Sequence, residues 1–275
     1  RETSEHLVSH PGVDKISFTG STAAGRRIAA VAGAGLKRVT LELGGKSAAI
    51  VLDDVNFAQI VPSLLSSATL NNGQACAAQT RWLVSRRRYD EFIEVAAQSV
   101  AAMRVGDPLD WSTDCGPLVA ARQRDRVESY IRSGREEGAR VVVGGGRPAH
   151  LDKGWYIEPT LFADVDNRMK IAREEIFGPV LVVIPYDDEP DAVRLANDSE
   201  YGLGGTVWTD DVDHGLEVAR RVRTGSLTVN GFMMEFGAPF GGFKNSGIGR
   251  ELGPEGLEAY LEYKTIHLPM GYEVK

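Results

Sequence analysis

Cysteine is nearly missing from this chain, with Cys76 and Cys115 the only two among 275 residues. Two thiols cannot build a disulfide framework, which excludes the small stapled secreted scaffolds. Scarce cysteine, with no signal-peptide pattern, fits a reducing, cytoplasmic setting. Positive charge is also short: 31 Lys and Arg stand against 38 Asp and Glu, a net charge of −7. That balance argues against nucleic acid or an anionic membrane as the main partner. No apolar run approaches the roughly 20 residues that span a bilayer, so no membrane segment is expected. Histidine numbers five, and no Cys/His pair has ligand spacing, so no metal is expected either. A glycine-rich dinucleotide fingerprint is lacking after the first strand-like run, because "FTGSTAAG" is too short a signal by itself. Repeats and low-complexity tracts are absent too.

What is present is the make-up of an ordinary globular chain. An apolar fraction of 43% at this length allows a sizeable core in one large or two smaller domains. Strand patterns fall at 15–19, 38–43, 47–52, 80–85, 140–145, 180–186, 204–209 and 226–230. Helical patterns fall between them at 21–34, 56–70, 89–103, 119–138, 188–198 and 211–223, the second holding Pro62 as a candidate kink. Such alternation predicts an α/β fold with a doubly wound, mostly parallel sheet. Ligands in such sheets sit at the carboxyl ends of the strands. The polar opening "RETSEHLVSHPGVD" reads as a lead-in, and a start on Arg1 fits a processed chain or a fragment. The interval 231–253 has little periodicity, but its Phe and Met residues predict a packed loop rather than a solvated linker.

Of the two thiols, Cys115 reads as a small buried apolar residue. Cys76 stands in "NNGQACAAQTR", where Gly73 permits close approach of backbone to a ligand and small alanines leave room around the sulfur. A nucleophilic thiol needs a group to take protons. His150, His214 and His267 lie in unremarkable contexts, which disfavours a cysteine protease. Glu42, at the end of a strand in "VTLELGGKS", is the other candidate base, although alone it would read as a solvated strand-edge carboxylate.

The combination is more specific than its parts. "FTGSTAAG", "LELGGKS", "NNGQACAAQTR", "EEIFGPV" and "PFGGFKNSGIGRELG" follow one another in order over nearly the whole chain. Together they resemble the signature blocks of the NAD(P)-dependent aldehyde dehydrogenase superfamily. Members carry most of their cofactor domain before the first block, so this chain resembles a C-terminal portion. The resemblance implies a remnant of the Rossmann-type cofactor domain at 1–44 and a catalytic α/β domain at 45–245. A C-terminal return with an oligomerisation strand would follow at 246–275.

The resemblance also implies roles. Cys76 would be the nucleophile and Glu42 the base that activates water. Gly20 and Ser21 would lie near the cofactor phosphates and nicotinamide, and Leu43 and Gly44 would offer backbone to the carboxamide. Glu175 would hold the nicotinamide ribose and Phe177 pack on the ring; for any Phe, core packing is the alternative. Gln123 and Arg126 would reach the cofactor from the 119–138 helix. Met233, Met234 and Phe236 would line an apolar aldehyde tunnel, with plain core the competing reading. Arg38, Arg250 and Glu262 would form an ion cluster near a subunit interface. Glu251 resembles a second carboxylate on the water path, with helix capping as its alternative. The cofactor would be NAD or NADP, the substrate a small-molecule aldehyde, and the full-length protein a homodimer or homotetramer. Residues that read the adenosine ribose have no match here, so little turnover is expected of the chain alone. An acyl transfer to coenzyme A and a non-catalytic binding protein of the same fold are the competing functions. Glu42 favours hydrolysis over the first, and the presence of both Cys76 and Glu42 argues against the second.

Overall fold

The computed structural model describes residues 2–273. Its first element is a helix, α1 (Glu2–Ser9), where the sequence had read as a lead-in. The helix is polar because only Val8 is buried, against Ile16 and Ala32, so it carries almost no apolar periodicity. Strand β1 (Lys15–Thr19), helix α2 (Thr22–Ala34) and strand β2 (Arg38–Glu42) follow. Ser21 caps α2, its hydroxyl accepting from the Ala24 amide. β1 and β2 run parallel, with Thr19 beside Glu42.

A larger unit begins at β3 (Ala48–Val51) and α3 (Phe57–Ala68), where Pro62 lies within a continuous helix. It continues with β4 (Arg81–Ser85), α4 (Tyr89–Ala101), α5 (Ala121–Glu136), β5 (Arg140–Val143), β6 (Thr160–Ala163) and α6 (Lys170–Arg173). Next come β7 (Val180–Tyr186), α7 (Glu189–Asn197), β8 (Tyr201–Gly202), β9 (Gly205–Trp208), α8 (Val212–Arg221) and β10 (Thr228–Val229). Seven strands pair in the order β10-β9-β3-β4-β7-β6-β5. Every pairing is parallel except the edge pair β5 with β6.

Period-two alternation feeds two core layers, one on each face of this sheet. Ile50, Leu83, Val182 and Phe162 point to the layer covered by α5, α7 and α8, with Val127, Ile131, Ala192 and Val218 among its members. Val51, Trp82, Val183 and Leu161 point to the other, where α3 and α4 supply Val61, Leu64, Phe92 and Ala96. Helices on both faces make the sheet doubly wound.

The chain then returns to the small sheet. β11 (Phe243–Lys244) pairs with β8, and β12 (Gly247–Ile248) lies antiparallel to β2. A β-carbon on Gly247 would sit 1.8 Å from the Leu41 carbonyl oxygen, so only glycine lets β12 lie this close. Helix α9 (Gly253–Glu258) ends the regular structure of the described residues. Beyond α9 the described residues carry no strand. One expectation changes here. The interval 231–253 is less packed than its apolar content implied: Met233, Met234 and Phe236 are exposed.

Candidate active site

Glu42 closes β2, and Gly44 to Lys46 lead from it into β3. Cys76 stands in the loop before β4, and Glu175 in the loop before β7. The site therefore lies at the carboxyl end of the small sheet, as expected of parallel strands. For the large sheet the expectation reverses, since these loops gather at the amino ends of its central strands.

Glycine backbone brings the loops together. A β-carbon on Gly45 would lie 2.3 Å from the Cys76 carbonyl oxygen, and one on Gly44 2.5 Å from Glu175 Oε2. Gly73 has a φ of 73°, and a β-carbon there would lie 2.2 Å from the Gly178 carbonyl oxygen. The segments "LELGGKS", "NNGQAC" and "EEIFGPV" thus touch where they have no side chains. The Gly45 amide donates to Glu175 Oε1 at 3.1 Å.

Cys76 is partly buried. Its polar neighbours are spent on the loop itself. Asn72 Oδ1 accepts from the Gly116 amide at 2.8 Å and Gln74 Oε1 from the Val119 amide at 3.0 Å. Asn71 Nδ2 donates to the Gln74 carbonyl at 3.1 Å. Asn71 and Asn72 adopt left-handed backbone, which asparagine tolerates better than most residues. Burial raises the thiol above its ordinary value, and the Glu175 carboxylate raises it further; the Ala77 and Cys76 amides pull the other way, and Glu42 adds to the rise. At neutral pH the thiol form prevails.

Glu42 is 2% exposed, and neither carboxyl oxygen has a hydrogen-bond partner among the described residues. Burial pushes it from 4.5 up to about 8; the nearby Glu251 adds to the rise and Arg250 opposes it. Glu251 is held by the Ser17 hydroxyl at 2.7 Å. A β-carbon on Gly241 would reach within 2.6 Å of Glu42 Oε1, so a glycine also keeps space at this carboxyl.

The remaining candidates divide between open groups and committed ones. The Gly20 amide donates to the Glu42 carbonyl at 3.0 Å, and Ser21 caps α2. The Leu43 amide donates to the Ser246 carbonyl at 2.9 Å, and the Gly44 carbonyl accepts from the Ser246 hydroxyl at 2.7 Å. Gln123 Nε2 donates to the Phe177 carbonyl at 2.7 Å, and Arg126 Nη2 to the Glu175 carbonyl at 2.6 Å. These two side chains hold the 175–177 backbone from behind, and Phe177 sits there at a φ of 64°. These groups suit part of a dinucleotide, a phosphate and ribose hydroxyls. The N-terminus of α2 suits phosphate, and Glu175 presents an acceptor over a glycine turn that any side chain would obstruct.

Two expected groupings come out differently. Arg38 pairs with Glu262 at 2.7 Å, but both are at least half exposed. Arg250 stays apart, donating to the Gly242 and Gly249 carbonyls on the Glu42 side. The expected three-member ion cluster is thus an exposed pair. Met233, Met234 and Phe236 are 69%, 43% and 72% exposed in this chain. Two features escaped the sequence reading. One is the Gly73 contact with Gly178, for which the left-handed Asn-Asn-Gly turn was the available signal. The other is Lys46, buried beside the site, which no local signal sets apart from an exposed lysine.

A partly buried thiol and a buried carboxyl without a hydrogen-bond partner among the described residues thus stand on loops joined by glycine contacts. The aldehyde dehydrogenase family model matches residues 1–266, and the chain belongs to that family. It is 57% identical over 268 residues to the geranial dehydrogenase of Castellaniella defragrans, covering 98% of this chain and 56% of that one. It is 46% identical to a 3-succinoylsemialdehyde-pyridine dehydrogenase of a Pseudomonas species, covering 97% and 56%. Among solved structures, the Mycobacterium tuberculosis aldehyde dehydrogenase complexed with NAD+ superposes with a TM-score of 0.98 at 54% identity, covering 100% of this chain and 57% of that one. An aldehyde dehydrogenase C variant from Pseudomonas syringae, solved with NAD+ and octanal, gives 0.92 at 46% identity, covering 94% and 54%. The chain thus spans about half the length of the relatives it matches. Among the described residues no helix is long and apolar enough to cross a membrane.

Proposed function

We propose that this chain carries the acyl-transfer half of an NAD(P)+-dependent aldehyde dehydrogenase and part of its cofactor seat. The observation that carries the reading is Glu42: a buried carboxyl with no hydrogen-bond partner among the described residues, in the field of the Cys76 thiol. Such a group is costly to the fold and suited to general-base work near neutral pH.

Cys76 gives its proton to solvent water, and the thiolate sulfur adds to the aldehyde carbon as the carbonyl π pair moves to oxygen, giving a thiohemiacetal oxyanion. The Cys76 amide would donate to that oxygen, and one such donor is typically worth about 10²–10³ in rate. A bound nicotinamide cofactor would supply the hydride acceptor that turns the thiohemiacetal into a Cys76 thioester. Glu175 would hold its ribose hydroxyls, Phe177 would face its ring, and the α2 terminus with Gly20 and Ser21 would take phosphate. The Leu43 carbonyl and Gly44 amide would be the backbone groups left for the carboxamide. Gln123 and Arg126 would act through the 175–177 backbone they hold. The Cys76 thioester is then attacked by water, whose proton passes to Glu42, and the thiolate leaves with the carboxylic acid released. A deprotonated Glu42 is needed for that last step, so hydrolysis should accelerate as pH rises through about 8.

Met233, Met234 and Phe236 favour an apolar aldehyde, in keeping with the octanal and geranial of the relatives' names. The exposed apolar run of Tyr263, Ile266, Leu268 and Met270 favours a subunit contact in a homodimer or homotetramer. A cytoplasmic location fits the scarce cysteines. The test is NADH formation from NAD+ with aliphatic and aromatic aldehydes by a protein that carries this chain at the full length of its relatives, run beside Cys76→Ala. Turnover that survives in Cys76→Ala would overturn the assignment.

A further inference from the structure

A small enclosed cavity lies at the amino ends of β3 and β4, and the chemistry above makes no use of it. Lys46, Ser47 and Arg81 line it, with Tyr201, Gly204 and Thr224 among the residues opposite. The first three are 2%, 4% and 1% exposed. Each brings a buried polar atom that has no hydrogen-bond partner among the described residues: Lys46 Nζ, Ser47 Oγ and Arg81 Nε. Buried polar atoms in folded proteins are nearly always paired. Three unpaired ones around a single enclosed space call for a shared partner.

The wall of the cavity has little left to offer them. Arg81 spends its outer nitrogens on Asn167 Oδ1 at 2.8 Å and on the Leu195 and Ala196 carbonyls at 2.9 and 3.0 Å, which leaves Nε over. The Gly202 and Leu203 carbonyls already accept from the Gly225 and Ser226 amides at 3.0 and 3.2 Å. A β-carbon on Gly204 would sit 3.7 Å from Ser47 Oγ, so this glycine keeps the space beside the hydroxyl open. No Asp or Glu is among the lining residues. Asp198, the acid nearest in effect to Arg81, is engaged by Arg173 at 3.2 Å and by Asn167 Nδ2 at 2.9 Å. Two cationic side chains and a hydroxyl thus share one cavity that has no anion in its wall.

We infer that this cavity binds one monovalent anion of the halide class, chloride or bromide, held by Lys46 Nζ, Ser47 Oγ and Arg81 Nε. Its size agrees. About 10 Å³ is open to the centre of a water-sized sphere, enough for one such sphere and for an ion a few tenths of an ångström wider, but not for sulfate or a carboxylic acid. Its charge agrees as well. Burial and Arg81 push Lys46 down to about 7, with Glu175 opposing, and burial lowers Arg81 to about 10, with Asp198 opposing and Arg173 adding. An anion between the two cations offsets what burial costs each of them, whereas a water molecule leaves both charges uncompensated. Lys46 and Ser47 directly follow the Gly44–Gly45 turn, so the ion would fasten the exit of that turn to the start of β4.

Anomalous diffraction from crystals of the 275-residue chain grown in sodium bromide at pH 6, where Lys46 carries its proton, tests the site directly. The expected result is one bromide peak inside the cavity, within hydrogen-bond reach of the three atoms. A water molecule at that place, with no anomalous signal, would overturn the inference. In solution, chloride replacing gluconate at fixed ionic strength should raise the melting temperature along a saturating curve. The rise should reach roughly 3–5 °C when chloride stands about 10- to 100-fold above its Kd. Lys46→Met should abolish the rise, and if that variant does not fold, Ser47→Ala should move the curve to higher chloride. Equal melting in chloride and gluconate, or the same curve in the parent and a folded variant, would refute the site. Neither readout involves cofactor or aldehyde, so failure here is distinct from failure of the dehydrogenase assignment.

Discussion

Replacing Glu42 by glutamine should make the fold more stable, and only at the pH where wild-type Glu42 is under strain. The carboxyl moves from 4.5 to about 8 on folding. Below about pH 4.5 both states hold the proton, and Glu42 imposes no difference between them. Between about pH 4.5 and 8 the unfolded chain releases a proton that the folded chain retains, so folded stability falls as pH rises. Above about 8 the loss is complete. At 1.36 kcal/mol for each unit, the difference amounts to about 5 kcal/mol as a ceiling. Glutamine has the same shape and does not titrate. Lys46, depressed to about 7, shifts stability the opposite way at higher pH, which is why the comparison is a difference between the two proteins. For a chain of this size each kcal/mol is worth roughly 2 °C in melting temperature. Glu42→Gln should therefore melt about 5–10 °C above wild type near pH 8.5, with the gap closing toward pH 4.5. Melting curves over that range, at fixed ionic strength, measure it. A gap that does not vary with pH would refute the claim that Glu42 is held neutral by burial.

Three other outcomes follow from the site. Alkylation of Cys76 by iodoacetamide should be slow at neutral pH and rise steadily into the alkaline range, because burial and Glu175 hold the thiol up; a plateau reached below neutrality would contradict this. Gly73→Ala should lower stability by about 1–3 kcal/mol and move the loop before β7, since its methyl group meets the Gly178 carbonyl and glycine alone suits the backbone there; an unchanged denaturation midpoint would count against that contact. Glu262→Lys should cost the isolated chain under about 1 kcal/mol, as expected of a solvent-exposed pair with Arg38, and a loss of several kcal/mol would show that the pair is part of something larger.

The alternating architecture was legible because strands such as "SAAIVL" and "VLVVIPY" are buried on both faces, which leaves continuous apolar runs in the sequence. Helix α1 was not, since it buries one residue and its apolar period is lost among polar neighbours. β6 was missed as well: four residues give too short a run to stand out. The motifs located Cys76, Glu42 and Glu175 but could not orient them. That depends on three glycine contacts between segments far apart in the chain, and on the loops lying at the amino ends of the large sheet. Asn71, Asn72 and Gln74 tie the cysteine loop to 116–119 and to itself, contacts that no local pattern signals. Lys46 shows the same limit from the other side, because burial of a lysine leaves no local mark in its sequence.

The account turns on Cys76 taking the acyl group and Glu42 releasing it, and that half of the chemistry needs no cofactor. An activated ester such as para-nitrophenyl acetate should acylate Cys76 directly, to be followed by intact mass and peptide mapping. In the parent chain the acyl group should turn over, faster as pH rises through about 8; in Glu42→Gln it should accumulate on Cys76 and persist. Equal release of the acyl group from parent and Glu42→Gln, or acylation that survives in Cys76→Ala, would contradict the central claim.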